Sequence, residues 1–107
     1  MINLTLLKTH LRLETSETIE DVYLQHLVDT AIETFNLTQN RTLIESDAAL
    51  PDPVGKTLKI TIPIVHGALI LIGHWYNNRE AVVLGIPAAE LPMGTQRLWS
   101  QYRWQNI

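Results

Sequence analysis

The residues that could support chemistry in this 107-residue chain are few, and their spacing assembles no familiar catalytic or metal site. The absence of cysteine excludes thiolate catalysis, disulfides and Cys-rich zinc sites. The four histidines form no i, i+4 pair, and His66 and His74 would lie roughly 80° apart around a helix, too far to share a metal ion. No serine lies in a nucleophile-elbow motif. We therefore expect no catalytic residue, no metal site and no cofactor.

Two further motifs suggest ligands but lack the context that would support them. Gly55-Lys56-Thr57 resembles the end of a phosphate-binding P-loop, yet Leu50 stands where the first glycine belongs and no predicted strand precedes it. Asp29 and Glu33 are four residues apart, a spacing at which two carboxylates can share a cation. No glycine-containing calcium loop accompanies them, so a solvated helix face explains them better.

The composition predicts a single small domain over residues 1–107. Hydrophobic residues make up 46% of the chain and the net charge is only −3, which argues against disorder and against a general nucleic-acid binder. The uncharged stretch Ile60–Asn78 contains Pro63 and two glycines, so we do not expect it to cross a membrane. The N-terminus is not expected to be a signal peptide.

Apolar periodicity and capping residues predict four helices. The first is expected from Thr5, as a cap, through Leu11 or Leu13. The second follows a capping-box-like pair, Thr18 and Asp21, and reaches Leu37 to Asn40. Its apolar stripe is expected to comprise Ile19, Val22, Tyr23, Leu27, Ala31 and Phe35. The third is expected from Pro63 to about Glu80, and the fourth from Thr95 to about Trp104, after a connector of residues 81–91.

The middle of the chain loses this helical pattern. Arg41 to Gly55 is predicted to be a loop, and Lys56 to Ile62 alternates apolar and polar residues as a half-buried strand would. Because the sequence shows no second strand, this segment is either an extended arm that pairs or packs across a subunit boundary, or an irregular lead-in to the third helix. The predicted fold class is all-α: a small bundle of about four helices with a long central loop or extended arm.

The third helix has almost no polar face until Asn77. Such a helix is enclosed on most sides. It is therefore either the central core helix of this chain or a helix partly covered by neighbouring subunits.

Aromatic residues and arginines concentrate near the end of the chain, where all three Trp and two of the three Tyr fall within residues 75–104. Trp, Tyr and Arg are the residues that most often anchor protein interfaces. The alternative is that these rings close the domain's own core. The candidate subunit or partner contacts are Trp75, Tyr76, Arg79, Leu98, Trp99, Tyr102 and Arg103.

Charge is distributed unevenly along the chain. From Leu13 to Asn40 there are six acids and no base. Residues 1–59 carry nine acids and five bases, whereas residues 60–107 carry two acids and three bases.

Several of these patterns together resemble the small head-tail connector proteins of tailed bacteriophages, also called head-completion or adaptor proteins. The resemblance rests on an opening Leu-Lys-x-x-Leu-Arg helix, an acidic run leading into a long helix, an apolar helix closing on Trp-Tyr-x-x-Arg-Glu, and a Leu-Pro-x-Gly turn before a helix ending in Tyr-Arg. These patterns lie at Leu7–Arg12, Glu17–Asn40, Trp75–Glu80, Leu91–Gly94 and Tyr102–Arg103. The segment Arg41 to Ile62 departs from the family pattern.

The resemblance implies a mainly helical, ring-forming subunit, a dodecamer in the virion, that lies beneath the portal protein and extends the DNA channel. It implies a docking surface for a tail or stopper protein, DNA passing without sequence-specific binding, and neither catalysis nor a cofactor. The expected location is the head-tail junction of the virion, and the host cytoplasm during assembly.

In such a ring, the acids of the second helix have two readings. Glu20, Asp21, Asp29 and Glu33 either line the channel, where carboxylates would repel DNA phosphates, or face a basic portal surface. A different class of function also stays open: a small helical adaptor or regulatory module that binds one protein partner without forming a ring. An enzyme would need a concave site with converging polar groups, which the sequence does not supply.

Overall fold

The computed structural model describes residues 2–77 and 91–104 of the chain. These residues form four helices and two short strands: α1 (Leu4–His10), α2 (Asp21–Gln39), β1 (Thr42–Ile44), β2 (Thr57–Lys59), α3 (Ile62–Asn77) and α4 (Met93–Ser100). The predicted class was all-α; its mainly helical character is confirmed, and the two strands are an addition to it. The predicted end of the third helix at Glu80 and the connector up to residue 90 lie outside the described residues.

The helix starts differ from the sequence prediction because other residues cap them. Asn3 caps α1 and its side-chain oxygen accepts a hydrogen bond from the Thr5 amide at 2.7 Å, so Thr5 lies inside the helix. α2 begins at Asp21 with Glu20 as its N-cap and without a side-chain cap, so the predicted capping box is wrong. α2 ends at Gln39, and its C-cap Asn40 adopts the left-handed conformation that Asn tolerates, with a φ of 56°.

A two-stranded parallel sheet replaces the predicted unpaired strand. Thr42 pairs with Thr57, Leu43 with Leu58 and Ile44 with Lys59, and residues 45–56 connect the two strands. The prediction of a loop from Arg41 to Gly55 therefore missed β1. A three-residue strand is too short for alternation to reveal, and a parallel partner across a long connection leaves no local signal.

α3 is the central helix of the bundle. It packs against α1, α2 and α4, and seven of its residues are buried: Ile64, Gly67, Ala68, Leu69, Leu71, Ile72 and Trp75. This resolves the two alternatives that its apolar sequence left open, because the chain's own helices enclose most of it.

The closest packing in the core is between α3 and α4. The Trp99 indole is fully buried, donates its Nε1–H to the Ile64 carbonyl at 3.0 Å, and meets the Phe35 ring edge to face at 5.2 Å. The Thr95 hydroxyl donates to the Gly67 carbonyl at 2.8 Å. Thr95 was expected to start the last helix, but α4 begins at Met93 and Thr95 is a buried contact within it.

Among residues 2–77 and 91–104, no helix combines the length and the apolar character that a membrane crossing requires.

Candidate functional site

The structure divides the aromatic and arginine residues near the end of the chain between the core and the surface. Trp75 and Trp99 are buried in the chain's own core, so neither indole is available to a neighbour in this conformation. Leu98 and Tyr102 are half-buried against that core. Arg103 is exposed, and Arg79 lies outside the described residues.

Tyr76 connects two ends of the bundle instead of projecting outward. The half-buried Tyr76 hydroxyl donates a hydrogen bond to Glu20 Oε2 at 2.5 Å. Glu20 is the N-cap of α2, so this bond ties the end of α3 to the start of α2. It shows that α2 and α3 run antiparallel.

A second cluster joins the end of α2 to the segment that follows α4. Arg41 Nε donates to the Tyr102 carbonyl at 2.8 Å, and the Arg41 guanidinium lies 5.1 Å from the centroid of the Trp104 ring. The Trp104 amide donates to the Gln39 carbonyl at 2.9 Å. The Thr61 hydroxyl donates to the Tyr102 hydroxyl at 3.0 Å, which adds the start of α3 to the same cluster.

The four acids predicted to act together have different environments. Glu20 accepts the Tyr76 hydrogen bond, and Asp21 pairs with Lys8, whose Nζ lies 2.6 Å from Asp21 Oδ1. Lys8 is itself buried and also donates to the Glu17 carbonyl at 2.6 Å, so this ion pair fastens α1 to the start of α2. Glu20 and Asp21 therefore stabilise the fold.

The other two acids, Asp29 and Glu33, are exposed on the middle of α2. They line an open cleft of about 420 Å³ together with Ile2, Gln25, Val28, Ile32 and Glu45. Gln25 donates to Asp29 at 3.0 Å. In the described part of the chain, no set of three or more His, Asp or Glu side chains is arranged to hold a metal ion. This face can present negative charge, and nothing there points to metal chemistry.

Several apolar side chains are exposed on the surface, which their sequence pattern did not predict. Ile19 and Val22 are 84% and 86% exposed at the start of α2, while Leu37 and Ile62 are 75% and 85% exposed at its other end. Ile19 and Val22 were assigned to the buried stripe of the second helix, which is wrong. The true stripe begins at Leu24 and continues through Leu27, Val28, Ala31 and Phe35. Val22 lies two residues before it, which places it on the opposite side of a helix.

The family model for phage gp6-like head-tail connector proteins matches residues 1–103. The chain belongs to this family. Comparisons with the curated proteins and with the solved structures found no match. Membership gives this connector a structural role in a phage virion, at the junction of head and tail. It agrees with the resemblance carried by the N-terminal helix, the acidic run and the two C-terminal patterns.

Proposed function

We propose that this connector is one subunit of a closed homo-oligomeric ring, a dodecamer in the virion, that lies beneath the portal and extends the DNA channel. Its other side would bind a tail or stopper protein, and the ring would assemble in the host cytoplasm. The observation that carries this proposal is the family match over residues 1–103. The role needs no catalytic residue and no cofactor.

The exposed apolar residues support self-association. Among residues 2–77 and 91–104, four large aliphatic side chains are at least 75% exposed: Ile19, Val22, Leu37 and Ile62. Single exposed apolar residues are ordinary, but pairs at defined ends of a small molecule favour burial against a partner. A closed ring joins one patch of each subunit to a different patch of the next, so it needs two such surfaces on every copy.

The acidic face of α2 supports a passage for DNA. Asp29 and Glu33 are exposed and line the same open cleft as Glu45. If this cleft faces the channel, each subunit adds carboxylates that repel DNA phosphates, and the duplex moves without adhering. The competing proposal is that the same acids bind a basic portal surface. Neither version includes Glu20 or Asp21, because Glu20 is hydrogen-bonded to Tyr76 and Asp21 is paired with Lys8.

Co-sedimentation with the purified portal tests the ring and separates the two versions. Wild-type connector should migrate with the portal as a discrete complex on a glycerol gradient. D29N/E33Q removes two exposed charges without changing side-chain size. In the channel version this variant binds the portal as tightly as wild type and slows DNA passage. Portal binding lost with assembly intact would contradict the channel version, and wild type that never migrates with the portal would favour the single-partner adaptor module.

A further inference from the structure

The start of α2 borders a cleft that is apolar within and acidic at its rim. This cleft of about 470 Å³ is lined by Lys8, Arg12, Leu13, Glu14, Glu17, Ile19, Glu20, Asp21 and Leu24. The Lys8 charge is already paired with Asp21. The exposed Arg12 is the second base of the lining, against the acids Glu14, Glu17 and Glu20, so the rim keeps a net negative charge. The almost fully exposed Ile19 adds unburied apolar surface beside it. We call this surface the acidic cleft.

The opposite end of the bundle has the opposite charge. Hydrogen bonds join three segments there: Lys56 Nζ donates to Asn40 Oδ1 at 3.0 Å, and Arg41 and Thr61 bond to Tyr102. The segments 37–44, 56–62 and 101–104 contain four bases and no acid, whereas the loop of residues 45–55 contains three acids. Exposed Lys56 and Arg103 flank this end, from which Ile62 and Leu37 project. We call this surface the basic end.

We propose that the acidic cleft of one copy receives the basic end of the next copy, and that this contact closes the ring. The inference rests on the proposed function and names the two surfaces that would meet. Ile62 enters a cleft that already presents Ile19 and the half-buried Leu13, while Lys56 and Arg103 meet Glu14 and Glu17. Ile19 and Ile62 both lose their exposure in this contact.

Charge complementarity makes a second copy the occupant. Two acidic clefts repel each other, and so do two basic ends, so the symmetric dimers that would use either surface twice are disfavoured. α2 has 19 residues and is about 28 Å long at the usual helical rise, so the two surfaces lie on opposite sides of the molecule. Each copy can therefore contact two neighbours at once, as a heterologous ring requires.

Charge reversal tests the contact in the intact chain. E14K/E17K makes both surfaces basic. K56E/R103E places two acids opposite Glu14 and Glu17 and leaves the basic end with two bases and two acids. Each variant alone should need at least about a hundredfold higher concentration than wild type for half-assembly, alone or on the portal, because like charges meet at every contact. An equimolar mixture should recover ring formation, because alternating copies restore opposite charges. A ring with an even number of subunits accommodates that alternation.

D47K/D52K is the matched control for E14K/E17K, because it makes the same change in net charge on the exposed loop between the strands. It should assemble like wild type. Circular dichroism of each variant checks that the helices are intact. Two results would overturn the proposed contact, provided that wild type still forms rings. One is that both charge-reversal variants assemble as well as wild type, and the other is that their mixture fails to recover rings. Wild type that forms no ring, even on the portal, would instead contradict the proposed function.

Discussion

At Gly67 the main chain of α3 lies closer to the Trp99 indole than any other residue would permit. A Cβ atom there would lie 2.5 Å from Trp99 Nε1 and 2.8 Å from Cδ1. The same indole is fixed by its hydrogen bond to Ile64 and by the Phe35 ring, so it has little freedom to move. Gly67 is thus required by the approach of two helices.

We predict that Gly67→Ala lowers the free energy of unfolding by about 1–3 kcal/mol, the usual cost of overpacking a core. Urea denaturation at a fixed protein concentration measures it. Gly73→Ala is the control in the same helix, because its Cβ would meet His10 Nε2 at an ordinary 3.5 Å. That variant should equal wild type or gain up to about 1 kcal/mol from the better helix propensity of Ala. Equal stability of the two variants would show that the α3–α4 contact is looser than described.

Individual residues were predicted less well from the sequence than the patterns that contain them. Residue type identified Trp75 and Trp99 as important, but whether an indole is buried depends on which helices pack over it. Ile19 and Val22 were misassigned because the apolar pattern was extended past the real start of α2. The spacing from Leu24 onward carried the signal that could have excluded Val22.

At the scale of elements, the segment after α4 is held to the end of α2 by Arg41. The Arg41 side chain combines a hydrogen bond to the Tyr102 carbonyl with a contact to the Trp104 ring. These two interactions hold the Trp104 amide against the Gln39 carbonyl. Arg41 is therefore the residue that fixes this segment and completes the basic end.

We predict that Arg41→Ala speeds hydrogen exchange of the Trp104 amide by about tenfold or more. The reason is that a hydrogen bond from a charged group and a cation–π contact are lost, together worth on the order of 1–3 kcal/mol of local stability. Exchange measured by NMR at neutral pH reports it directly. Arg97→Ala, at an exposed position of α4, should leave this amide unchanged. Equal exchange in both variants would mean that Arg41 does not hold the segment.

α2 and α3 could be predicted because each carries a long apolar repeat. α1 and α4, of seven and eight residues, were located from a shorter apolar spacing beside a cap or a turn. The ends of the helices could not be predicted, since capping by Asn3 and the missing side-chain cap at Glu20 depend on local geometry rather than on periodicity. β1 stayed hidden because its pairing with β2 is non-local. The acidic character of α2 was visible, but only tertiary contacts reveal that Glu20 and Asp21 are engaged while Asp29 and Glu33 are exposed.

In the molecule as a whole, the helices of this connector close its core, but apolar side chains stay exposed at the two ends of the bundle. The apolar α3 is covered within the chain, so it does not itself require a neighbour. The most exposed aliphatic side chains of the described residues lie instead near the two ends of α2, with Ile19 in the acidic cleft and Leu37 and Ile62 at the basic end. A small structural protein with two such ends is suited to head-to-tail assembly.

The most direct test of ring formation is native mass spectrometry over a range of protein concentrations, with and without the portal. Concentration must vary because a ring held by weak contacts dissociates on dilution. We expect a ring-sized species, formed alone at high concentration or on the portal at low concentration. A monomer or dimer that ignores the portal at every concentration would contradict it.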